Sequence, residues 1–250
     1  MASTNRFAGD VVLITGGTAG IGAAIADAFV AAGAAVAVCA RSQSGLDAFA
    51  QHHPDALTIR GDVANDADRT EILDAVARRF GRLDILVNNA GLLIERDFAQ
   101  GPGTATDPCA GLEAEIAVNL TAPIALTGAT LVRWPNLKSV ILVSSGYALV
   151  SPRRAPTYGA TKAGLHGFAE GLRRQLAPRG THVLEVLPPA VDTPATQHNT
   201  ASKIAPSVVA DATLSALAAR RPVALMGQTR LLPLMLRLAP GLIGRFVAAT

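Results

Sequence analysis

The sequence predicts an α/β fold, a single doubly wound parallel sheet with helices on both faces. Two patterns point to it. Short, continuously apolar runs recur along the chain, which marks strands buried on both faces rather than on one. Between them lie stretches with an apolar residue at every third or fourth position, closed by glycine, which read as helices. Strand and helix alternating through short connections build a parallel sheet.

The expected strands are Val11–Thr15, Ala35–Cys39, Leu57–Ile59, Ile85–Val87, Val140–Val143 and Val183–Leu187. Ile21, Ile25 and Phe29 define a first helix stopped by Gly33, and Ile72, Val76 and Phe80 define another stopped by Gly81. A further helix opens near Tyr158 and carries Leu165, Phe168, Leu172 and Leu176. No internal repeat or linker is visible, so residues 1–250 are expected to form one domain. The part after about Pro188 is expected to be less regular.

Composition sets the broad class. Half of the 250 residues are AVILMFWYC, with 23 Gly and 15 Pro, which is too apolar for disorder and long enough for a sizeable core. Cys39 and Cys109 are the only cysteines, too few for a disulfide scaffold, and a reducing compartment is expected. The balance of 22 Lys+Arg against 19 Asp+Glu gives +3, and the basic residues are scattered, so nucleic acid is not expected as a partner. The opening MASTNRFAGD has no apolar core, and the longest uncharged run, Ile116–Val132, is interrupted by Asn119 and Pro123. A cytoplasmic protein without stable membrane insertion is the expectation. No Cys, His, Asp and Glu cluster has ligand spacing, so no metal is expected.

The chemistry begins after the first strand, at Thr15-Gly16-Gly17-Thr18-Ala19-Gly20-Ile21-Gly22. Glycines there let backbone N–H groups approach a pyrophosphate, and the helix that follows offers its positive end. The turn lacks the Lys-Ser/Thr pair of a nucleotide-hydrolysing loop. The second strand ends at Cys39-Ala40-Arg41-Ser42, where an NAD site would place an acid against the ribose 2′-OH. Ala40 is neutral, and Arg41 with Ser42 is suited to a 2′-phosphate, so NADP(H) is expected ahead of NAD(H). The bland reading is that Arg41 is one more solvated arginine.

Tyr158 and Lys162 fall at i and i+4 on one helix face, and Ser145 lies thirteen residues upstream of Tyr158, just past a buried strand. A phenol is a poor acid at neutral pH, and a neighbouring cation favours its ionised form, which makes such a pair a proton relay. Alone, a Tyr/Lys pair on a helix means little.

Together these motifs resemble the short-chain dehydrogenase/reductase family, from about Val11 to Thr193, and most nearly its DltE-type bacterial oxidoreductases. The match includes Thr15–Gly22, Asp62-Val63, Asn88-Asn89-Ala90-Gly91, Asn119, Ser145, Tyr158/Lys162 and Pro188–Thr193. The resemblance implies a Rossmann fold and hydride transfer between a carbonyl and a secondary alcohol. It implies that Tyr158 exchanges the substrate proton, Ser145 polarises the carbonyl, Lys162 lowers the Tyr158 pKa and holds the nicotinamide ribose, and Asn119 keeps a water near Lys162. Around the cofactor it implies Gly16, Thr18, Ala19, Gly20, Ile21 and Gly22 at the pyrophosphate, with Arg41 and Ser42 at the 2′ position. Asp62 and Val63 would flank the adenine, Asn89, Ala90 and Gly91 the adenosine ribose, and Val191 and Thr193 the nicotinamide amide. A homodimer or homotetramer built on the helices of Asn119 and Tyr158 is implied as well. Asn119 and Asp62 each have a purely structural alternative, a kinked helix and a turn cap.

Two departures bear on specificity. The family's Pro-Gly is Pro188-Pro189 here, which stiffens that turn, and the stretch from Gly91 to Asn119 is long and holds Gly101-Pro102-Gly103. The segment Leu231–Val247 is apolar, broken by Pro233 and Pro240, and is expected to pack on the body or on a second subunit. A non-catalytic NADP(H) sensor on the same fold is the alternative function; it would be expected to lack Tyr158 or Lys162.

Overall fold

The first strand, β1 (Val11–Thr15), is buried along its whole length. Val12 and Ile14 join one apolar cluster and Val11 and Leu13 the other, which is why the run is apolar without alternation. The computed structural model describes residues 6–99, 109–196 and 202–248. Over them the chain continues as α1 (Gly20–Ala31), β2 (Ala35–Ala40), α2 (Gln43–His52), β3 (Leu57–Arg60), α3 (Asp66–Phe80) and β4 (Ile85–Asn88). Then follow α4 (Leu112–Ile116), α5 (Ala122–Arg133), β5 (Ser139–Val143), α6 (Pro156–Leu176), β6 (His182–Leu187), α7 (Pro206–Ala218), β7 (Val223–Leu225), α8 (Leu232–Leu238) and α9 (Pro240–Ala248).

The strands form one parallel seven-stranded sheet in the order β3-β2-β1-β4-β5-β6-β7. Helices α1, α2 and α7 supply the core of one face, and α3, α5 and α6 that of the other. The chain winds outward from β1 to β3 and then returns to lay β4 on the other side of β1. That reversal opens a crevice at the carboxyl ends of β1 and β4, where ligands of open α/β sheets bind. Both glycine stops take the left-handed conformation, Gly33 at φ +84° and Gly81 at φ +71°.

Two features differ from the sequence reading. The edge strand β7 was not expected, because three residues after Pro222 carry no periodicity; it is set by pairing of Glu185 to Leu187 with Val223 to Leu225. The region after Pro188 is also more regular than expected. Helix α7 buries Val209, Ala210, Thr213, Ala216 and Leu217, and alanine and threonine at core positions blur an apolar stripe.

Between α4 and α5 the helix does not stop but widens into a π turn, Ala117–Thr121. The continuous helix Leu112–Arg133 is long and apolar enough to cross a membrane by length and composition. Its interior, however, carries buried Glu115 and Asn119, both bonded to neighbouring protein groups. The Leu231–Val247 segment divides at Ala239 into α8 and α9; Ile243 and Val247 are buried, while Leu231, Leu234, Leu238 and Leu242 are exposed. The Gly101-Pro102-Gly103 sequence lies outside the described residues.

Candidate active site

The phosphate turn is built where β1 ends. Gly16 adopts φ +63° and donates its N–H to the Cys39 carbonyl at 2.8 Å. A Cβ on Gly22 would lie 2.2 Å from the Gly16 oxygen, so only glycine lets α1 start this close beneath the turn. Ala19 precedes the helix without a side-chain cap, leaving the first-turn N–H groups for an anion. Gly20, at φ +54°, lies under Thr193. Thr15, absent from the expected site, ties the turn to β4: its Oγ1 accepts from the Asn89 and Ala90 N–H groups at 3.0 Å each. The Asn89 amide in turn donates to the Thr15 carbonyl at 2.9 Å. A hydroxyl ending a buried apolar run was the signal.

From this turn a groove runs in two directions. One arm, about 440 Å³, is lined by Thr18, Ala40, Arg41, Ser42, Asp62 and Val63 among others. Arg41 is exposed and stands 3.9 Å from Asp62, across the mouth of the arm. Ser42 also caps α2 by accepting from Gly45 N at 3.2 Å, and Asp62 caps its own turn through Ala64 N at 2.9 Å. For Asp62, then, the structural alternative is present alongside the expected position.

The other arm, about 330 Å³, brings together Gly16, Ala19, Gly20, Ile21, Asn89, Ala90 and Gly91 with Ser145, Tyr158, Lys162, Val191 and Thr193. Gly22 and Asn119 do not line it; they stand behind it. The glycine cradle, the uncapped helix start and the flanking Arg41 fit a dinucleotide lying along both arms.

Ser145 follows β5 in an extended conformation, with Oγ accepting from Tyr147 N at 3.1 Å. One turn into α6, Tyr158 and Lys162 face it. Burial pushes the phenol up to about 12, opposed by hydrogen bonding from Ser145. It also pushes the Lys162 ammonium down to about 8, opposed by the charge of Glu185. The depression of Tyr158 expected from Lys162 is therefore not what the protein alone produces. Nζ instead donates to the Val143 carbonyl at 3.0 Å and lies 5.6 Å from the centre of the phenol ring.

Asn119 sits on the π turn, where the widened backbone turns its amide toward the loop after β4. It pairs with both backbone groups of Leu92 at 2.8 Å and donates to Thr161 Oγ1 at 3.2 Å. The kinked-helix reading and the site reading meet in one residue. A Cβ on Gly91 would fall 3.3 Å from the Asn119 oxygen and 3.6 Å from Lys162 Nζ, so Gly91 separates the two.

Beyond Ser145 lies a third space of about 350 Å³, roofed by Leu231, Leu232 and Met235 and by Ile243 and Val247 of α9. Pro188 and Pro189 form its floor together with Gly146, whose N–H donates to the Pro188 carbonyl at 3.0 Å.

The family model for short chain dehydrogenases matches residues 10–204. The chain belongs to the short-chain dehydrogenase family. Among curated relatives, an uncharacterized oxidoreductase, DltE of Bacillus subtilis, is 36% identical over 191 residues, covering 75% of this chain and 74% of that protein. An L-fucose dehydrogenase of Mus musculus is 32% identical over 233 residues, covering 91% and 81%. A short chain dehydrogenase from Burkholderia cenocepacia, solved in complex with NADP, superposes with a TM-score of 0.83 at 26% identity over 96% of this chain and 98% of that one. The chain is thus an oxidoreductase-family member with a Rossmann fold.

Proposed function

We propose that the protein is an NADP(H)-dependent oxidoreductase that interconverts a carbonyl and a secondary alcohol. The observation that carries this reading is the convergence of Ser145, Tyr158 and Lys162 on a groove whose other wall is the glycine turn. When bound, the nicotinamide supplies or removes the hydride. The protein's residues handle the proton: Ser145 hydrogen-bonds the substrate oxygen, and Tyr158, held protonated by burial, donates to it as the alcohol forms. Lys162 receives the next proton from the interior side, where Asn119 and the Leu92 backbone hold the path, and it orients the nicotinamide ribose.

Arg41 and Ser42 favour a 2′-phosphate, because no carboxylate follows β2 directly; the NADP complex of the Burkholderia relative supports the same choice. Asp62, 3.9 Å from Arg41, is positioned for the adenine side. Glycine and alanine dominate the exposed face of α6, at Ala160, Ala163, Gly164 and Gly167, and α5 exposes Ile124 and Val132. These flat faces suit pairing with a second copy, so we read the enzyme as a cytoplasmic homodimer or homotetramer with neither nucleic-acid nor membrane partners. The test is a panel of carbonyls and alcohols followed by NADPH absorbance; turnover of at least one carbonyl supports the reading, and none across the panel contradicts it.

A further inference from the structure

The space beyond Ser145 has a chemistry of its own. None of its described lining residues is charged. Val150 of the loop before α6, Leu232 and Met235 of α8, and Ile243 and Val247 of α9 supply hydrocarbon, and the two prolines add more. Its polar side chains are Ser145, Tyr147, Ser202, Gln228 and Thr229, a third of the lining, and Thr229 Oγ1 already donates toward the Leu187 and Met226 carbonyls at 2.7 and 2.8 Å. Ser145 is committed to the reacting oxygen under the reading above. Arg154, which lines the inner arm of the groove, is paired with Glu95 at 2.9 Å.

The roof is coupled to the catalytic strand end. A Cβ on Gly146 would lie 2.9 Å from Thr229 Cγ2 and 3.6 Å from Leu232 Cδ2, so the residue after Ser145 packs directly beneath α8. Ser145 lines both this chamber and the inner arm of the groove, so a substrate whose oxygen reaches it can extend its body against this roof. Each hydroxyl stripped of water there without a partner would lower affinity on the order of ten- to a hundredfold. Each buried methylene would raise it about fourfold.

We propose that the chamber selects uncharged, largely hydrocarbon ketones and the corresponding secondary alcohols, and excludes polyhydroxylated ones. This rests on the oxidoreductase reading.

The test uses the full chain with NADPH and a 2-alkanone series from butanone to decanone, with erythrulose, an open-chain polyhydroxylated ketone, as the polar comparator. The expected result is a kcat/KM that rises about fourfold per methylene until the chamber fills, with erythrulose at least about a thousandfold below the optimum. Met235→Glu, at a half-exposed roof position, should flatten the rise. In parallel, calorimetry on the NADPH-loaded protein should show 2-nonanol binding and erythritol not. A flat or falling alkanone series, or preference for erythrulose, overturns the substrate class while leaving the oxidoreductase reading intact. If no carbonyl turns over although NADPH binds, the oxidoreductase reading fails; the calorimetry then still decides the chamber, and equal binding of alcohol and polyol overturns it.

Discussion

His166 Nδ1 lies 2.8 Å from Oε2 of Glu185, a carboxylate with no solvent exposure whose other oxygen has no partner. His166 follows Lys162 by one helical turn, and Glu185 pairs in register with Leu142 on the sheet face that α6 covers. The carboxylate therefore sits behind Lys162. Lys162 and His166 face it from α6, while its strand neighbours Leu142 and Val223 bring no charge.

The first prediction follows from that placement. The Glu185 charge opposes the desolvation that pulls Lys162 down to about 8. In the reductive direction the relay needs its proton, so activity falls as pH rises through the relay's pKa. Glu185→Gln removes the opposing charge and should move this alkaline limb to lower pH. The pH profile of kcat checks it; an unmoved limb with a normal fold would assign Glu185 to packing alone.

Cofactor choice gives a second. Arg41→Ala removes one charge-assisted contact to a 2′-phosphate, worth about 1.5–3 kcal/mol, or roughly ten- to a hundredfold in NADPH affinity. NADH affinity should hardly change. Titration of both cofactors by fluorescence is the measurement, and equal weakening of the two would reduce Arg41 to a solvated arginine.

Stability depends on a second buried pair. Arg96 and Glu115 form an ion pair with side chains 2% and 0% exposed, and Glu115 also accepts from Thr157 Oγ1 at 2.7 Å and from Ile94 N at 3.1 Å. Glu115→Ala leaves the Arg96 charge buried and uncompensated, at a cost of about 3–5 kcal/mol. Because Thr157 adjoins Tyr158, activity should fall as well. Urea unfolding checks the first effect; a change below about 1 kcal/mol would mean that water replaces the carboxylate.

Assembly supplies a fourth. Light scattering at micromolar concentration should give a dimer or tetramer mass, and Gly167→Arg, on the exposed face of α6 with open space at its Cβ position, should shift it toward monomer. A monomeric parent protein would remove the basis for that face.

Much of this was legible in the chain because the relevant spacings are local. Glycines at 16, 20 and 22 announce a turn, and Tyr158 and Lys162 share a face by helical period. What escaped depends on long-range contacts. His166 reads as an ordinary helical histidine until Glu185, nineteen residues on, is seen beneath it; the sequence signal was a glutamate inside the apolar run Val183–Leu187. Thr15 reads as a strand end until Asn89 meets it. Spacing reports the proximity of Tyr158 and Lys162 but not their burial, which displaces both groups from their usual ranges.

Under the proposed function Tyr158 exchanges the substrate proton, and Tyr158→Phe probes that step. Removing only the hydroxyl leaves the groove and its glycine turn in place. In this variant kcat for a reducible ketone should fall by about a hundredfold or more, the loss typical of a missing general acid, while NADPH binds within about twofold of the parent protein. Turnover near that of the parent, with NADPH still bound, would contradict it.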